Sequence, residues 1–289
     1  MQRFSGARRA ARVHPPDGSF GPWALIAGGS EGVGASFAHQ LASRGVNVAL
    51  VARTAGPLER TAREIRAGHG VEVRTLALDL TVDDVAERID ALCRDLDFAT
   101  LICNAGAAHG VGALLDQPVD KALHLARLNC ISPIRLVHHY GRRMLARGGG
   151  SIILIGSGAG TAGGAGVAAY SASKSFVTTL AEGLWYELAP KNVRVLGLVL
   201  GLTRTPAMER AGFQPGGGYT ADDPDVVAAT GLEQIANGPV YVMPSLQPHL
   251  EAAAKLTRAE RVKAMSEATL ALLDNPALTG QAGGGSPRC

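Results

Sequence analysis

The feature that most constrains the fold is an alternation of short apolar runs with longer amphipathic segments from Trp23 onward. Most of the runs have strand length and lack polar alternation, which is typical of parallel strands covered on both faces. The segments between them carry apolar residues at three- and four-residue spacing, as helices do. The pattern therefore predicts a single α/β domain with a doubly wound parallel sheet. The predicted strands are 23–27, 47–52, 71–78, 99–103, 151–155, 193–200 and 239–243.

The ends of the chain and the region after Thr205 break this pattern. Residues 1–19 are predicted to be a flexible leader, residues 20–275 the domain, and residues 276–289 a flexible tail. After Thr205 the chain becomes rich in Gly and Pro, and a helix then restarts at Asp223-Pro224, an N-cap followed by proline. We expect residues 206–250 to form a helical segment that covers the ligand site.

Charge and cysteine usage exclude several classes of protein. The formal net charge of +3 is too small to indicate a nucleic-acid partner, and no apolar run is long enough to form an integral membrane segment. The four cysteines show neither paired nor metal-ligand spacing, so we expect no metal site and reduced thiols in a cytoplasmic protein. These cysteines are Cys93, Cys103, Cys130 and Cys289.

A glycine-rich loop joins the first predicted strand to the first predicted helix. Gly28, Gly32 and Gly34 follow the spacing G-x-x-x-G-x-G, with Ser30 and Val33 between them. Such a loop lets the backbone approach a pyrophosphate, and the helix N-terminus offers free N–H groups and a favourable dipole. An ordinary tight turn is the alternative, because the chain holds 37 glycines. The position between strand and helix favours a dinucleotide site.

The end of the second predicted strand bears on which dinucleotide binds. An acidic residue there would hold the ribose 2′-hydroxyl of NAD, but the chain has Arg53. A guanidinium pairs with a 2′-phosphate, so the sequence favours NADP(H), with NAD as the alternative. Two points count against this: Glu31 in the loop would repel phosphate if it faced the ligand, and the alternative for Arg53 is a merely solvated surface residue.

Asp79 and Leu80 end the third predicted strand. A carboxylate at this position can accept a hydrogen bond from the adenine amino group. Thr81, Asp83 and Asp84 follow, so a helix cap is the alternative role for Asp79.

Tyr170 and Lys174 lie four residues apart in a predicted helix and therefore share one face. A free tyrosine has a pKa of about 10, and a nearby ammonium lowers it by favouring the phenolate. Tyr170 can then pass a proton to or from a substrate oxygen. Ser157, just past the fifth strand, can hold the same oxygen. A chance polar pair on a helix surface is the alternative.

Six segments together resemble the short-chain dehydrogenase/reductase family, in its order and at its spacing, over about residues 20–245. The resemblance implies a Rossmann-fold, NAD(P)-dependent oxidoreductase of CH–OH and C=O groups, such as a ketoreductase. It also implies a homodimer or homotetramer built on two long helices, here about 118–147 and 170–189. The segments are AGGSEGVG (27–34), CNAG (103–106), LNCISP (128–133), IGSGAG (155–160), YSASK (170–174) and LGLTRTP (200–206).

The resemblance implies a role for each matching residue. Asn129 keeps a water that links the lysine to a proton relay, Ser157 polarises the substrate, and Tyr170 is the general acid/base. Lys174 binds the ribose hydroxyls and lowers the tyrosine pKa. Asn104, Ala105 and Gly106 lie beside the adenine and the central strand, and Thr203 and Thr205 meet the nicotinamide amide and the phosphates. The departures Ala27, Gly156 and Leu200, where the family usually has Thr, Ser and Pro, remove no proton-transfer group.

The covering segment indicates the kind of substrate. Its large apolar residues suggest a roomy site for a small hydrophobic ketone or secondary alcohol, and NADPH favours reduction. The alternative is that these residues belong to the core. Two other functions stay open: an NAD-linked alcohol or steroid dehydrogenase, and a non-catalytic dinucleotide-binding sensor or scaffold. The residues are Met208, Phe213, Tyr219, Tyr241 and Met243.

Overall fold

A computed structural model describes residues 20–106, 112–212 and 220–271 of the chain. It contains one parallel sheet of seven strands in the order β3-β2-β1-β4-β5-β6-β7, which confirms the predicted fold class. Each predicted strand lies within two residues of an observed one at both ends. The strands are β1 (Trp23–Ala27), β2 (Asn47–Ala52), β3 (Val73–Ala77), β4 (Phe98–Cys103), β5 (Gly150–Ser157), β6 (Val193–Leu200) and β7 (Val240–Val242).

Helices cover both faces of this sheet. One apolar cluster joins α1, α2 and α8 to the sheet, and a second joins α3, α5 and α6 to the opposite face. Successive strand residues point to opposite faces, so Ile26 belongs to the first cluster and Leu25 to the second. The described helices are α1 (Gly32–Ala42), α2 (Ala55–His69), α3 (Val85–Cys93), α4 (Val119–Ala126), α5 (Ser132–Arg147), α6 (Ala168–Leu188), α7 (Pro206–Arg210), α8 (Pro224–Gln234), α9 (Gln247–Ala254) and α10 (Arg258–Ala271).

The strand order places a crevice beside the glycine loop. The chain winds outward from β1 to β3 and then returns to place β4 on the other side of β1. The connections after β1 and β4 therefore diverge at the carboxyl end of the sheet, where open α/β sheets bind their ligands.

The helix predicted over about 118–147 is interrupted by a π-helical turn at Arg127–Ile131. Pro133 has no N–H and cannot donate to the carbonyl of Asn129 four residues earlier. The hydrogen-bond ladder widens at this point, and α5 follows as a separate helix. Turns of this kind are frequent at functional sites.

The region after Thr205 does not act only as a cover, because one of its helices, α8, belongs to the scaffold. Asp223 caps α8 by accepting from the backbone N–H of Asp225 at 2.9 Å, as predicted, but α8 packs against α1 and belongs to the scaffold. Met243 is buried in the core and Tyr241 packs against it, so the core interpretation holds for both. Phe213, Tyr219, Cys289, the leader and the tail lie outside the described residues.

Along the parts of the chain that the structure describes, none of the helices combines the length and apolar character needed to cross a membrane.

Candidate active site

A cavity of about 1130 Å³ opens at the carboxyl end of the sheet. The glycine loop and the ends of β2, β4 and β5 line one part of it, and α7, α9 and α10 line the other. Most of the predicted site residues line it together. These are Gly28, Ser30, Gly32, Val33, Arg53, Leu80, Asn104, Ala105, Gly106, Ser157, Tyr170, Lys174, Thr203 and Thr205. Gly34, Asp79 and Asn129 are not among its lining residues.

The glycine loop fits a dinucleotide because backbone lines the cavity there. Gly28 and Gly32 adopt φ of +91° and +54°, in the left-handed region that favours glycine. No side chain caps the start of α1, so its first N–H groups are available to an anion. Thr205 lies against the loop, since a Cβ on Gly32 would be 2.9 Å from the Thr205 Cγ2.

Gly34 packs directly against the backbone of the glycine loop. A Cβ at this position would lie 1.9 Å from the carbonyl oxygen of Gly28 and 2.6 Å from the Asn104 amide nitrogen. The Asn104 amide donates to the same Gly28 carbonyl at 2.8 Å. Any side chain at Gly34 would therefore push this hydrogen bond apart and displace the loop.

We expect Gly34→Ala to weaken NADPH binding at least about tenfold, because the loop cannot keep its path around a Cβ. Fluorescence titration of the purified variant with NADPH measures the dissociation constant. Gly68→Ala is the matched control: a Cβ on Gly68, in α2, meets nothing within 4 Å, so cofactor binding should be unchanged and the helix stabilised by about 0.5–1 kcal/mol. Wild-type affinity in Gly34→Ala would contradict the expectation.

The end of the cavity beside β2 and β3 contains Arg53, which is exposed, and Leu80. Asp79 is not a lining residue, and its Oδ1 accepts from the Thr81 backbone N–H at 2.9 Å and from the Thr81 hydroxyl at 2.8 Å. Burial alone would raise the pKa of Asp79, but the hydrogen bonds from Thr81 and the charge of Arg53 together lower it. Asp79 therefore closes a turn with Thr81 and is not the helix cap that the sequence offered as its alternative role, because α3 begins only at Val85 with Asp84 as its N-cap.

Glu31 does not present a free carboxylate to the ligand. It forms an ion pair with Arg210 at the end of α7, with a second contact of 3.2 Å from Arg210 Nη1. The expected repulsion between Glu31 and a phosphate is therefore reduced, because the charge of Arg210, another lining residue, compensates that of Glu31. This pairing joins residues 179 positions apart, and no local pattern indicates it.

Ser157, Tyr170 and Lys174 come together because β5 and α6 pack side by side. Ser157 is the last residue of β5, and its hydroxyl accepts from the Ala159 N–H at 3.3 Å. Tyr170 lies half-buried in the first turn of α6. Lys174 is buried one turn later, donates to the Ile155 carbonyl at 2.9 Å, and places its Nζ 5.9 Å from the centre of the Tyr170 ring.

The pKa directions at this cluster differ in part from the sequence expectation. Burial raises the pKa of Tyr170, and hydrogen bonding with Ser157 acts in the opposite direction without reversing the shift. Burial also lowers the pKa of Lys174 to about 8. The expected lowering of the Tyr170 pKa by Lys174 is absent from this structure, because desolvation of the phenol dominates.

Asn129 lies behind this cluster in the π-helical turn. It is buried, and its amide donates to the Ser173 hydroxyl at 2.9 Å. A Cβ on Gly106 would be 3.0 Å from the Lys174 Nζ and 3.5 Å from the Asn129 Oδ1, so both polar atoms lie beside the same backbone. The Asn129 side chain thus lies close to Lys174, although Asn129 does not itself line the cavity.

Residues of α9, of α10 and of the turn between them line the cavity outside the predicted cover. The predicted cover ends at residue 250, whereas the observed lining continues beyond it. A spacing of i, i+4 and i+7 in α10 was the available signal, but α10 is polar on average and its outward residues obscure the pattern. The missed residues are Ala252, Ala253, Ala254, Leu256, Arg261, Ala264, Met265, Ala268 and Thr269.

Comparison with known proteins gives matches over most of the chain. A family model described as short chain dehydrogenase matches residues 22–214. The 7beta-hydroxysteroid dehydrogenase of Clostridium sardiniense is 34% identical over 224 residues, which are 77% of this chain and 85% of the relative. The very-long-chain 3-oxoacyl-CoA reductase of Podospora anserina is 35% identical over 192 residues, 65% of this chain but only 56% of the longer reductase.

A solved structure is also similar across nearly its whole length. The short-chain dehydrogenase from Sphingobium yanoikuyae, in complex with NADPH, superposes with a TM-score of 0.71 at 30% sequence identity. The match covers 82% of this chain and 97% of that protein.

Proposed function

The chain belongs to the short-chain dehydrogenase/reductase family of NAD(P)-dependent oxidoreductases, and we propose that it interconverts a hydrophobic ketone and its secondary alcohol, with reduction by NADPH favoured. One observation carries the proposal. Ser157, Tyr170 and Lys174 line the same cavity as the glycine loop, so a proton-transfer group and a dinucleotide site share one space.

The proposed mechanism assigns a task to each of these side chains. A bound nicotinamide supplies the hydride chemistry. The Ser157 hydroxyl holds the carbonyl oxygen of the substrate and stabilises the negative charge that develops there. Tyr170 donates its phenolic proton to that oxygen. Because burial raises its pKa, the phenol carries a proton at neutral pH, which is the form that reduction requires.

Lys174 and Asn129 act behind the tyrosine. Lys174 is proposed to bind the ribose hydroxyls and to place positive charge beside the phenolate left after proton transfer. Its pKa of about 8 lies close enough to neutrality for the ammonium to return a proton to Tyr170. Asn129, buried beside the same Gly106 backbone, is proposed to keep the water that leads protons to Lys174.

The preference for NADPH rests on Arg53 and on the compensated Glu31. Arg53 lines the cavity at the end of β2 and makes no ion pair with a described carboxylate. We infer that it pairs with the 2′-phosphate. Glu31 opposes this less than its sequence position suggests, because Arg210 neutralises it.

We expect Arg53→Asp to shift the ratio of kcat/KM for NADPH and NADH at least about tenfold toward NADH, because the substitution replaces attraction for the phosphate with repulsion. Steady-state kinetics with both cofactors measures the ratio. Arg63→Asp makes the same charge change on an exposed position of α2 away from the cavity and should leave the ratio unchanged. An unaltered ratio in Arg53→Asp would remove the basis for the NADPH preference.

Hydrophobic substrates are proposed because the part of the cavity beside α9 and α10 is lined mostly by apolar residues, among them Leu246, Leu250 and Met265. Two of the relatives are named for a hydroxysteroid and for a very-long-chain 3-oxoacyl-CoA, whose steroid skeleton and acyl chain are large and apolar. The test is turnover of NADPH by the purified protein with a panel of keto steroids and 3-oxoacyl esters. Cofactor binding without oxidation in any of these reactions would favour the sensor or scaffold instead.

The protein is proposed to act as a homodimer or homotetramer in the cytoplasm. Apolar side chains on α4 and α5 face solvent in the single chain: Val119, Leu123 and Ile134. A Cβ on the exposed Gly183 of α6 would meet nothing within 4 Å, which leaves room for a second helix. Light scattering of the purified protein determines its mass in solution and tests the assembly.

A further inference from the structure

Helix α10 is anchored onto the loop that follows Ser157. Thr257 and Glu260 cap its start reciprocally: the Glu260 carboxylate accepts from the Thr257 N–H at 2.7 Å, and the Thr257 hydroxyl accepts from the Glu260 N–H at 3.3 Å. The Ser266 hydroxyl accepts from the Ala165 N–H at 2.9 Å. These contacts fix the rotation of the helix, and thereby decide which of its residues face the cavity.

Arg261 is the charged residue on the face of α10 that lines the cavity. It shares this face with Met265 and Ala268, at i+4 and i+7. Its Nε donates to the Leu256 carbonyl at 3.1 Å, which holds the base of the guanidinium. In residues 20–106, 112–212 and 220–271, no carboxylate lies within ion-pair distance of Arg261.

The acidic residues of α10 are directed elsewhere. Glu260 is exposed and bound to Thr257 at the helix start. Glu267 is exposed and lies 3.8 Å from Lys263 on the outer surface. The helix therefore separates its charges, with both carboxylates outside and one guanidinium on the cavity side.

The other charged residues considered for the cavity are either paired or already assigned to a proposed role, whereas Arg261 is not. Glu31 and Arg210 neutralise each other, and Arg53 and Lys174 belong to the proposed cofactor and proton-transfer groups. The cavity-lining residues tied to Arg261 by contact or spacing are apolar: Leu256, whose carbonyl accepts from its Nε, and Met265, one turn further along α10. A cation in apolar surroundings is stabilised by an anion, and a guanidinium binds one through paired hydrogen bonds.

We propose that Arg261 binds an anionic group at the end of the substrate remote from the ketone, so that the preferred substrates are hydrophobic keto acids or anionic acyl esters rather than neutral ketones. This inference rests on the proposed function, because it names the class of substrate for the same cavity. Arg261 acts on recognition and has no part in the proton transfer.

The test compares matched pairs of substrates that differ in charge. One pair is a keto-steroid carboxylic acid and its methyl ester; the other is a 3-oxoacyl thioester of coenzyme A and of N-acetylcysteamine. The wild type should have the lower KM for the charged member of at least one pair, and the pair that responds identifies the anion. Arg261→Gln should raise that KM about ten- to a hundredfold, with kcat and the KM of the neutral member nearly unchanged.

Two variants separate charge from packing. Arg261→Lys keeps a cation and should recover part of the preference. Lys263→Gln removes a cation from the outer face of the same helix and should change nothing. Equal KM values for both members of each pair in the wild type, or an equal effect of Arg261→Gln on charged and neutral substrates, would overturn the proposal.

A binding measurement keeps this inference distinct from the proposed function. Calorimetry with cholanate, a steroid carboxylate without a ketone, requires no turnover. Wild-type protein should bind it at least about tenfold more tightly than Arg261→Gln does. If no ketone is reduced but this difference is found, the proposed ketone reduction fails and the anion site stands. If ketones are reduced and neither KM nor binding depends on Arg261, the anion site fails alone.

Discussion

Tyr170→Phe is expected to lower kcat about a hundred- to ten-thousandfold while the dissociation constant for NADPH stays within about twofold of the wild type. The substitution removes one hydroxyl and keeps the ring, so packing in the first turn of α6 is preserved. In the proposed reduction the phenol is the proton donor, and without it the substrate alkoxide held by Ser157 would lack an acid. Stopped-flow measurement of NADPH oxidation separates this step from cofactor binding.

Tyr186→Phe is the matched control for this prediction. Tyr186 lies on the same helix, but 78% of its surface is exposed, and it does not line the cavity. The same atom is removed at a position without access to substrate, so kcat should be unchanged. Full turnover by Tyr170→Phe would require the proton donor to be sought elsewhere.

Lys174→Met is expected to lower kcat/KM for the ketone at least about a hundredfold and to weaken NADPH binding. Methionine is similar in length and apolar, but it carries neither the charge proposed to stabilise the Tyr170 phenolate nor the donor proposed for the ribose. The hydrogen bond to the Ile155 carbonyl is lost as well. Lys191→Met removes an exposed lysine outside the cavity and should have wild-type kinetics.

The same variant tests the pKa of Lys174 through stability. Burial lowers that pKa from 10.5 to about 8, so between these values the unfolded chain binds more protons than the native one. The free energy of unfolding of the cofactor-free wild type should therefore gain roughly 3 kcal/mol from this group as the pH rises from 8 to 10.5. Below pH 8 both states are protonated and the contribution is constant. Chemical denaturation of Lys174→Met should show a smaller gain, and equal pH dependence would place the Lys174 pKa near its ordinary value.

Local patterns in the sequence were sufficient for the scaffold and for part of the site. Apolar runs predicted all seven strands because a buried parallel strand is apolar on both faces, a property of consecutive residues. The glycine loop and the Tyr170–Lys174 spacing are likewise patterns within one loop and one helix. Met243 and Tyr241 were ambiguous, because an apolar side chain suits the core and a pocket equally well.

Contacts between distant segments decided the remainder. The sequence by itself determined the doubly wound sheet, the position of the glycine loop, and the side chains available for proton transfer. Only the tertiary structure decided that Arg210 neutralises Glu31, that Asp79 turns toward Thr81, and that α10 directs Arg261 toward the cavity. It also decided the pKa of Tyr170, which burial raises against the expectation from Lys174 alone. The reason is physical. Desolvation and ion pairing depend on which distant segments the fold brings together, and those contacts cannot be predicted from residues that are neighbours in the chain.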